Sequence, residues 1–366
     1  MSTDPQSDRW QRLITELQRP SGKPFEEQWA QFNEVFADRD PAMPPAPAWL
    51  PSAGDLTDSN LARLMREQGC SSYPELHRWS VDERASFWRA VMQRLEIVFN
   101  TPPNATVDLR DGPLHPNWLQ GARLNIVESC FQAAPEATAI VAAEEGQEDL
   151  TTWTYGELEQ LVNRVAAGLR LHGFSAGDAI AIYMPMNAEC VAAYLGIIRA
   201  GCIVVSIADS FAAPEVARRL EIAGAAGIIT VDAYLRGGRR IELYDTVREA
   251  GAPRAVVLLH VDDAPPDLRP GDLTWSDLVS IDGTAERSLA APEAVTNILF
   301  SSGTTGDPKA IPWTQLTPIK CAMDGHFHQD IRSGDVVCWP TNIGWMMGPW
   351  LIYAALVNRA TIALYQ

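Results

Sequence analysis

Nine consecutive residues in the last third of the chain combine the side chains and backbone freedom that a polyanion site needs. They are Ser301, Ser302, Gly303, Thr304, Thr305, Gly306, Asp307, Pro308 and Lys309. Gly303 and Gly306 admit backbone angles closed to other residues and let main-chain N–H groups approach an anion. Ser301, Ser302, Thr304 and Thr305 add hydroxyl donors, and Lys309 adds a compact positive charge suited to phosphate. Together they can wrap the β- and γ-phosphates of a nucleotide. Two common phosphate loops do not fit. GxxxxGK[ST] fails because Lys309 follows Gly306 by three positions and precedes Ala310. The dinucleotide fingerprint fails because no GxGxxG follows the first strand. A Ser/Gly/Thr stretch also reads as a flexible linker, so composition alone leaves both readings open.

Such a loop needs rigid neighbours. An apolar strand over 295–300 leads into it, and a helical segment from about Trp313 is expected after it. Upstream the pattern alternates. Strands are predicted over 137–143 and 150–153, and Thr154 with Glu157 forms a capping box opening a helix that ends at Gly173. Strands follow over 179–184, 202–207, 227–231 and 255–259, separated by helices over 188–200, 214–223 and 241–250. Strands spaced by helices of this length predict parallel βαβ units and an α/β layered fold. An acidic, Pro-rich stretch over 262–272 reads as a surface loop. The first hundred residues lack β-branched runs and read as helical, over 10–17 and 25–36, with the Pro-rich stretch 41–47 between these and later helices. Asp82 is expected to cap a helix to about Leu95, with Phe87, Val91, Leu95 and Val98 on one face. Residues 100–118 read as an extended linker. The expected organisation is a helical region over 1–115 and an α/β region over 116–366.

The chain has 366 residues, enough for more than one domain. Its 29 Lys and Arg stand against 46 Asp and Glu, a formal net charge of -17. So acidic a surface repels nucleic acid and anionic lipid, so neither is expected as a partner, and an anionic ligand must be held by a local positive patch. The six cysteines show no CxxC spacing, which suits buried thiols in a reducing compartment rather than disulfides or a metal site. The amino terminus lacks the basic start and apolar run of a secretory signal. The longest uncharged stretch, 336–357, contains Pro340, Gly344, Gly348 and Pro349 and reads as buried core rather than a membrane span. A cytoplasmic protein is expected.

The segment SSGTTGDPKA after an apolar strand resembles the signature loop of the adenylate-forming superfamily, which includes acyl-CoA synthetases, luciferases and peptide-synthetase adenylation domains. Within it the chain is similar to the acetyl-CoA synthetase branch, particularly to plant-type acyl-activating enzymes. Further matches fall in family order: HPNW at 115–118 before GARLN at 121–125, TWTYGEL at 152–158, GDAIAIYMPM at 177–186 and RGGR at 236–239. The resemblance covers roughly residues 60–366.

This resemblance implies an ATP-dependent carboxylate–CoA ligase that forms an acyl-adenylate and then an acyl-CoA. By the family pattern Thr304, Thr305 and Lys309 line the triphosphate, with Thr304 and Lys309 in the catalytic role and Mg²⁺ bridging phosphate oxygens. Arg236 and Arg239 match a segment near the CoA 3′-phosphate, although two ordinary surface arginines would read the same way. Trp345, Met346 and Met347 match the border of the acyl pocket, where enzymes for acetate carry smaller residues after the Trp. Adaptable Met side chains there point to a small carboxylic acid other than acetate, and equally suit plain core packing. Ala310 replaces the Gly usual after the Lys. Family members also continue past the position of Gln366. The resemblance therefore implies that the adenine and ribose contacts, a Glu associated with Mg²⁺ and a mobile carboxy-terminal domain with a catalytic Lys lie outside the chain. Taken alone it would be a truncated, inactive fragment in need of that part. Two other readings stand beside this one: a non-catalytic module binding a nucleotide or partner, and an adenylating enzyme that passes the acyl group to a carrier-protein thiol.

Overall fold

In the computed structural model the described residues are 5–17, 22–40, 53–147, 149–260, 266–281, 288–301 and 306–366. The chain divides into two compact units, Met1–Glu67 and Gln68–Gln366. In the first, helices Pro5–Leu17 and Phe25–Val35 pack through aromatic rings: Trp10 meets Phe32 and Phe36 edge-on at 5.5 and 5.2 Å, and Trp29 stacks on Phe32 at 5.0 Å. Two shorter helices, Ala53–Asp58 and Asn60–Glu67, complete it.

The second unit is built on a seven-stranded sheet ordered Leu273–Thr274, Ala255–Leu258, Gly227–Val231, Ala179–Tyr183, Ile203–Ser206, Val295–Ser301 and Lys309–Thr314. Every neighbouring pair is parallel except the last. All five residues of Ala179–Tyr183 and of Gly227–Val231 are buried, as expected of strands covered by helices on both faces. The covering helices follow the sequence reading. Tyr155–Leu171 opens on the Thr154/Glu157 capping box, Ala188–Arg199 is capped by the Asn187 side chain, and Ala213–Ala223 ends at Gly224 in the left-handed conformation. The first two pack closely because Gly196 has no Cβ, which would lie 2.5 Å from a Val165 methyl. A second sheet, ordered Val336–Cys338, Thr361–Tyr365, Thr138–Ala143 and Thr151–Thr154, is parallel except for its last pair. The expected α/β class with layered parallel strands is what forms.

Five local expectations need correction. Asp82 caps nothing: it ends the helix Tyr73–Asp82, and the next, Arg84–Arg94, starts after Glu83 without a side-chain cap. Within 100–118, strand Ala105–Asp108 pairs antiparallel with Asn117–Gln120, the prolines falling outside the paired residues. Residues 239–242 form a strand against Ala233–Arg236, so the following helix begins at Leu243. Trp313 lies in a strand, not a helix. Lys309–Thr314 pairs antiparallel with Val295–Ser301, Pro312 is tolerated because this is an edge strand, and the helix begins at Thr317. The uncharged stretch 336–357 is core only in part: helix Met347–Leu356 is buried except for half-buried Met347, while Val336 and Trp339 are exposed.

Candidate phosphate and acyl site

The central strand Ala179–Tyr183 has Ile203–Ser206 on one side and Gly227–Val231 on the other, which makes it the point where strand order reverses. In such sheets the carboxyl ends of the strands open a crevice for ligands. The segments that leave those ends carry most of the site's polar groups.

The glycine-rich loop is the connection of an antiparallel hairpin. Its feet are Ser301, paired with Lys309, and Phe300, paired with Ala310. Ser302, Gly303, Thr304 and Thr305 lie outside the described residues. Gly306 does not adopt a left-handed φ, and a Cβ there would meet nothing within 4 Å, so its freedom is of space rather than of backbone angle. Lys309 is exposed and has no partner among the described residues. Asp307 is held from the side by Arg218 of helix Ala213–Ala223. The Arg218 Nε donates to Asp307 Oδ1 at 2.9 Å and its Nη2 to Oδ2 at 2.6 Å, the planar fork meeting both carboxylate oxygens. Those bonds hold the Asp307 carboxyl below its ordinary pKa. The next residue, Arg219, is buried. It donates to the Glu215 carbonyl at 2.8 Å and to its carboxylate at 2.6 Å, and lies 4.0 Å over the Phe211 ring and 5.5 Å over Phe300.

Phe211 also meets Trp345 at 6.3 Å, edge-on. Gly344 brings the Trp345 segment here: a Cβ on it would lie 2.2 Å from the Ala208 nitrogen, so only glycine allows this approach to the end of strand Ile203–Ser206. Trp345 and Met346 are 51% and 58% exposed, and Met347 is half-buried. Phe211 thus links the foot of the glycine-rich hairpin to the expected acyl-pocket border.

Arg236 and Arg239 face each other across the tip of the second hairpin. Between them Gly237 and Gly238 both take positive φ, 59° and 70°, the backbone of a tight two-residue turn. Their N–H groups donate to Glu145, at 2.6 and 2.7 Å. The tip therefore is an anion nest, and a carboxylate of this chain fills it. Arg236 faces the hydroxyl of Tyr234 and the carboxylate of Asp209, which raise its pKa. Burial pushes the Asp209 carboxyl above its ordinary pKa, opposed by Arg236, Tyr234 and the Ser210 N–H. Arg239 is exposed. Glu145, Asp209, Phe211, Arg218 and Arg219 escaped the sequence reading. The one available signal was the adjacent Arg218 and Arg219 in an acidic chain.

Residues 127–366 match the family described as AMP-binding enzyme, and residues 73–130 that described as acetyl-coenzyme A synthetase N-terminus. The chain belongs to the AMP-binding enzyme family. Among its relatives, the probable acyl-activating enzyme 18, peroxisomal, of Arabidopsis thaliana is 40% identical, across 100% of this chain and 54% of that protein. The hexanoyl-CoA synthase of Cannabis sativa is 40% identical, across 98% of this chain and 53% of that one. The acetoacetyl-CoA synthetase from Streptomyces lividans superimposes with a TM-score of 0.81 at 31% identity, over 88% of this chain and 51% of that structure. The chain spans about half the length of these relatives.

Proposed function

We propose that this chain carries the phosphate grip and acyl-pocket border of an ATP-dependent acyl-CoA synthetase. One observation carries the reading most directly: Lys309 stands at the foot of a hairpin on the sheet's edge, exposed and without a partner among the described residues, in a family defined by AMP binding. Such an ammonium is available to a triphosphate, which suits ATP as substrate. Thr304 and Lys309 are the catalytic pair in this proposal, and Ser301, Ser302, Gly303, Thr305 and Gly306 complete the grip.

In the proposed reaction a carboxylate oxygen attacks the α-phosphorus of ATP and the bond to the pyrophosphate oxygen breaks. The CoA thiol then attacks the acyl carbon, and AMP leaves. The residues of this chain position and neutralise charge in the first step rather than transfer protons. Arg239 is the cation we assign to a CoA phosphate, with Arg236 held beside it by Asp209. Among the described residues no group of three or more His, Cys, Asp or Glu side chains could hold a metal ion; a Mg²⁺ entering with ATP would be held by phosphate oxygens and would neutralise their charge. For the acid, exposed Trp345 and Met346 and half-buried Met347 offer an adaptable apolar border, which supports a carboxylate longer than acetate. The name of the Cannabis sativa relative is in keeping with that choice.

Among the described residues no helix is long and apolar enough to cross a membrane. All six cysteines are free, with Cys130, Cys190, Cys202 and Cys321 buried. We take a reducing compartment, the cytoplasm, as the working location, to be checked against the peroxisomal naming of the plant relatives by fluorescent tagging.

The reading is tested by calorimetry with a non-hydrolysable hexanoyl-adenylate mimic, compared with ATP and with the acetyl mimic. Tighter binding of the hexanoyl mimic, lost in Met347→Ala, supports it. Binding of ATP with no contribution from any acyl group would instead favour a plain nucleotide-binding module.

A further inference from the structure

Two adjacent arginines on one helix take hold of the two feet of the glycine-rich hairpin. Consecutive helical residues point about 100° apart, so neighbours can reach different partners. Arg219 turns inward, where its guanidinium lies over Phe300 on the incoming strand and Phe211 below it. Arg218 turns outward and forks onto Asp307 at the outgoing end, two residues before Lys309. The partners lie 89 positions apart in sequence, so nothing local brings them together. Ion pairs this exposed, with Arg218 39% and Asp307 65% accessible, contribute little to global stability.

We infer that Arg218 is a positioning residue for the phosphate grip, tethering Asp307 so that Lys309 leaves the loop in a set direction while Arg219 holds the opposite foot. The inference rests on the reading of Lys309 as a phosphate ligand. A tether and a free positive charge differ in one respect. A tether needs both partners, whereas a free charge attracts the nucleotide whether or not Asp307 is present.

The experiment measures ATP affinity of the full chain by calorimetry at fixed ionic strength, together with nucleotide-free amide exchange at residues 309–311. Arg218→Ala and Asp307→Asn are each expected to weaken ATP about fivefold, and the double variant no further, because one interaction is removed in all three. The exchanged pair, Arg218→Asp with Asp307→Arg, is expected to restore affinity to within about twofold and to slow again the amides that either single change accelerates. Melting temperatures stay level throughout, as expected of so exposed an ion pair, so the changes in affinity and exchange do not come from a loosened fold. If Arg218→Ala weakens ATP while Asp307→Asn does not, Arg218 acts as a free charge and the tether is overturned. Unchanged affinity and exchange in both single variants would overturn it too. If the chain binds no ATP yet shows the exchange signature, the tether stands and the phosphate reading of Lys309 falls.

Discussion

Two antiparallel hairpins carry the cations of this site, and they treat them in opposite ways. On the hairpin of Val295–Ser301 and Lys309–Thr314 the carboxylate two residues before the critical cation, Asp307, is engaged by Arg218, and Lys309 stays open. On the hairpin of Ala233–Arg236 and Arg239–Glu242 the anion seats are filled from within: Glu145 takes both glycine N–H groups, and Asp209 with Tyr234 engages Arg236. In a chain of formal net charge -17, Lys309 stays open beside a carboxylate that a second cation, Arg218, already occupies. That difference separates a ligand grip from a braced scaffold, and it is open to direct test.

The sharpest break in the comparison would come from Lys309. Lys309→Ala is expected to weaken ATP about tenfold, the loss of one charge-assisted contact, with an unchanged melting temperature. Calorimetry and circular dichroism check it, and unchanged ATP affinity would put the two hairpins on the same footing. Glu145→Ala should act in the reverse sense, lowering stability by about 1–2 kcal/mol because two N–H donors lose a carboxylate, and leaving ATP affinity alone. Denaturant unfolding reads this, and an equal loss of ATP binding would contradict the division of labour.

The two arginines of the second tip should also part company. Arg236→Ala is expected to cost roughly 1 kcal/mol, since it strips an attractive charge from buried Asp209, whereas Arg239→Ala stays within about 0.5 kcal/mol. If either holds a CoA phosphate it is Arg239, whose loss should weaken CoA about threefold relative to dephospho-CoA. Smallest of all is a pH effect at Asp209. Its folded pKa is raised, so the fold favours the protonated form, and that contribution is lost as pH rises through the folded value. The melting temperature of Asp209→Asn relative to the native chain should therefore climb between pH 4 and pH 7. A difference that stays flat or falls over this range would mean that Arg236 outweighs burial.

Much of the scaffold was legible because its signals are local. The capping box at Thr154 and Glu157, the turn at Gly173 and the apolar runs of Ala179–Tyr183 and Gly227–Val231 each sit within a few residues of what they specify. The errors fell where pairing is remote or the pattern is mixed. Lys309–Thr314 has no clean alternation, and only its register against Val295–Ser301 makes it a strand. Asp82 has the right chemistry for a cap, but it had already been taken into the preceding helix.

The amino-acid sequence by itself determined the α/β class, most strand and helix positions and the segments able to meet phosphate, because periodicity, caps and glycine-rich composition act over one or two turns of chain. Only the tertiary structure decided which cations are spoken for. Glu145 reaches Gly237 across 92 positions, Arg218 reaches Asp307 across 89, and Phe211 comes against Trp345 through the close approach that Gly344 permits. Charge availability is a property of neighbours in space, and folding chose those neighbours by packing the strands and helices between them.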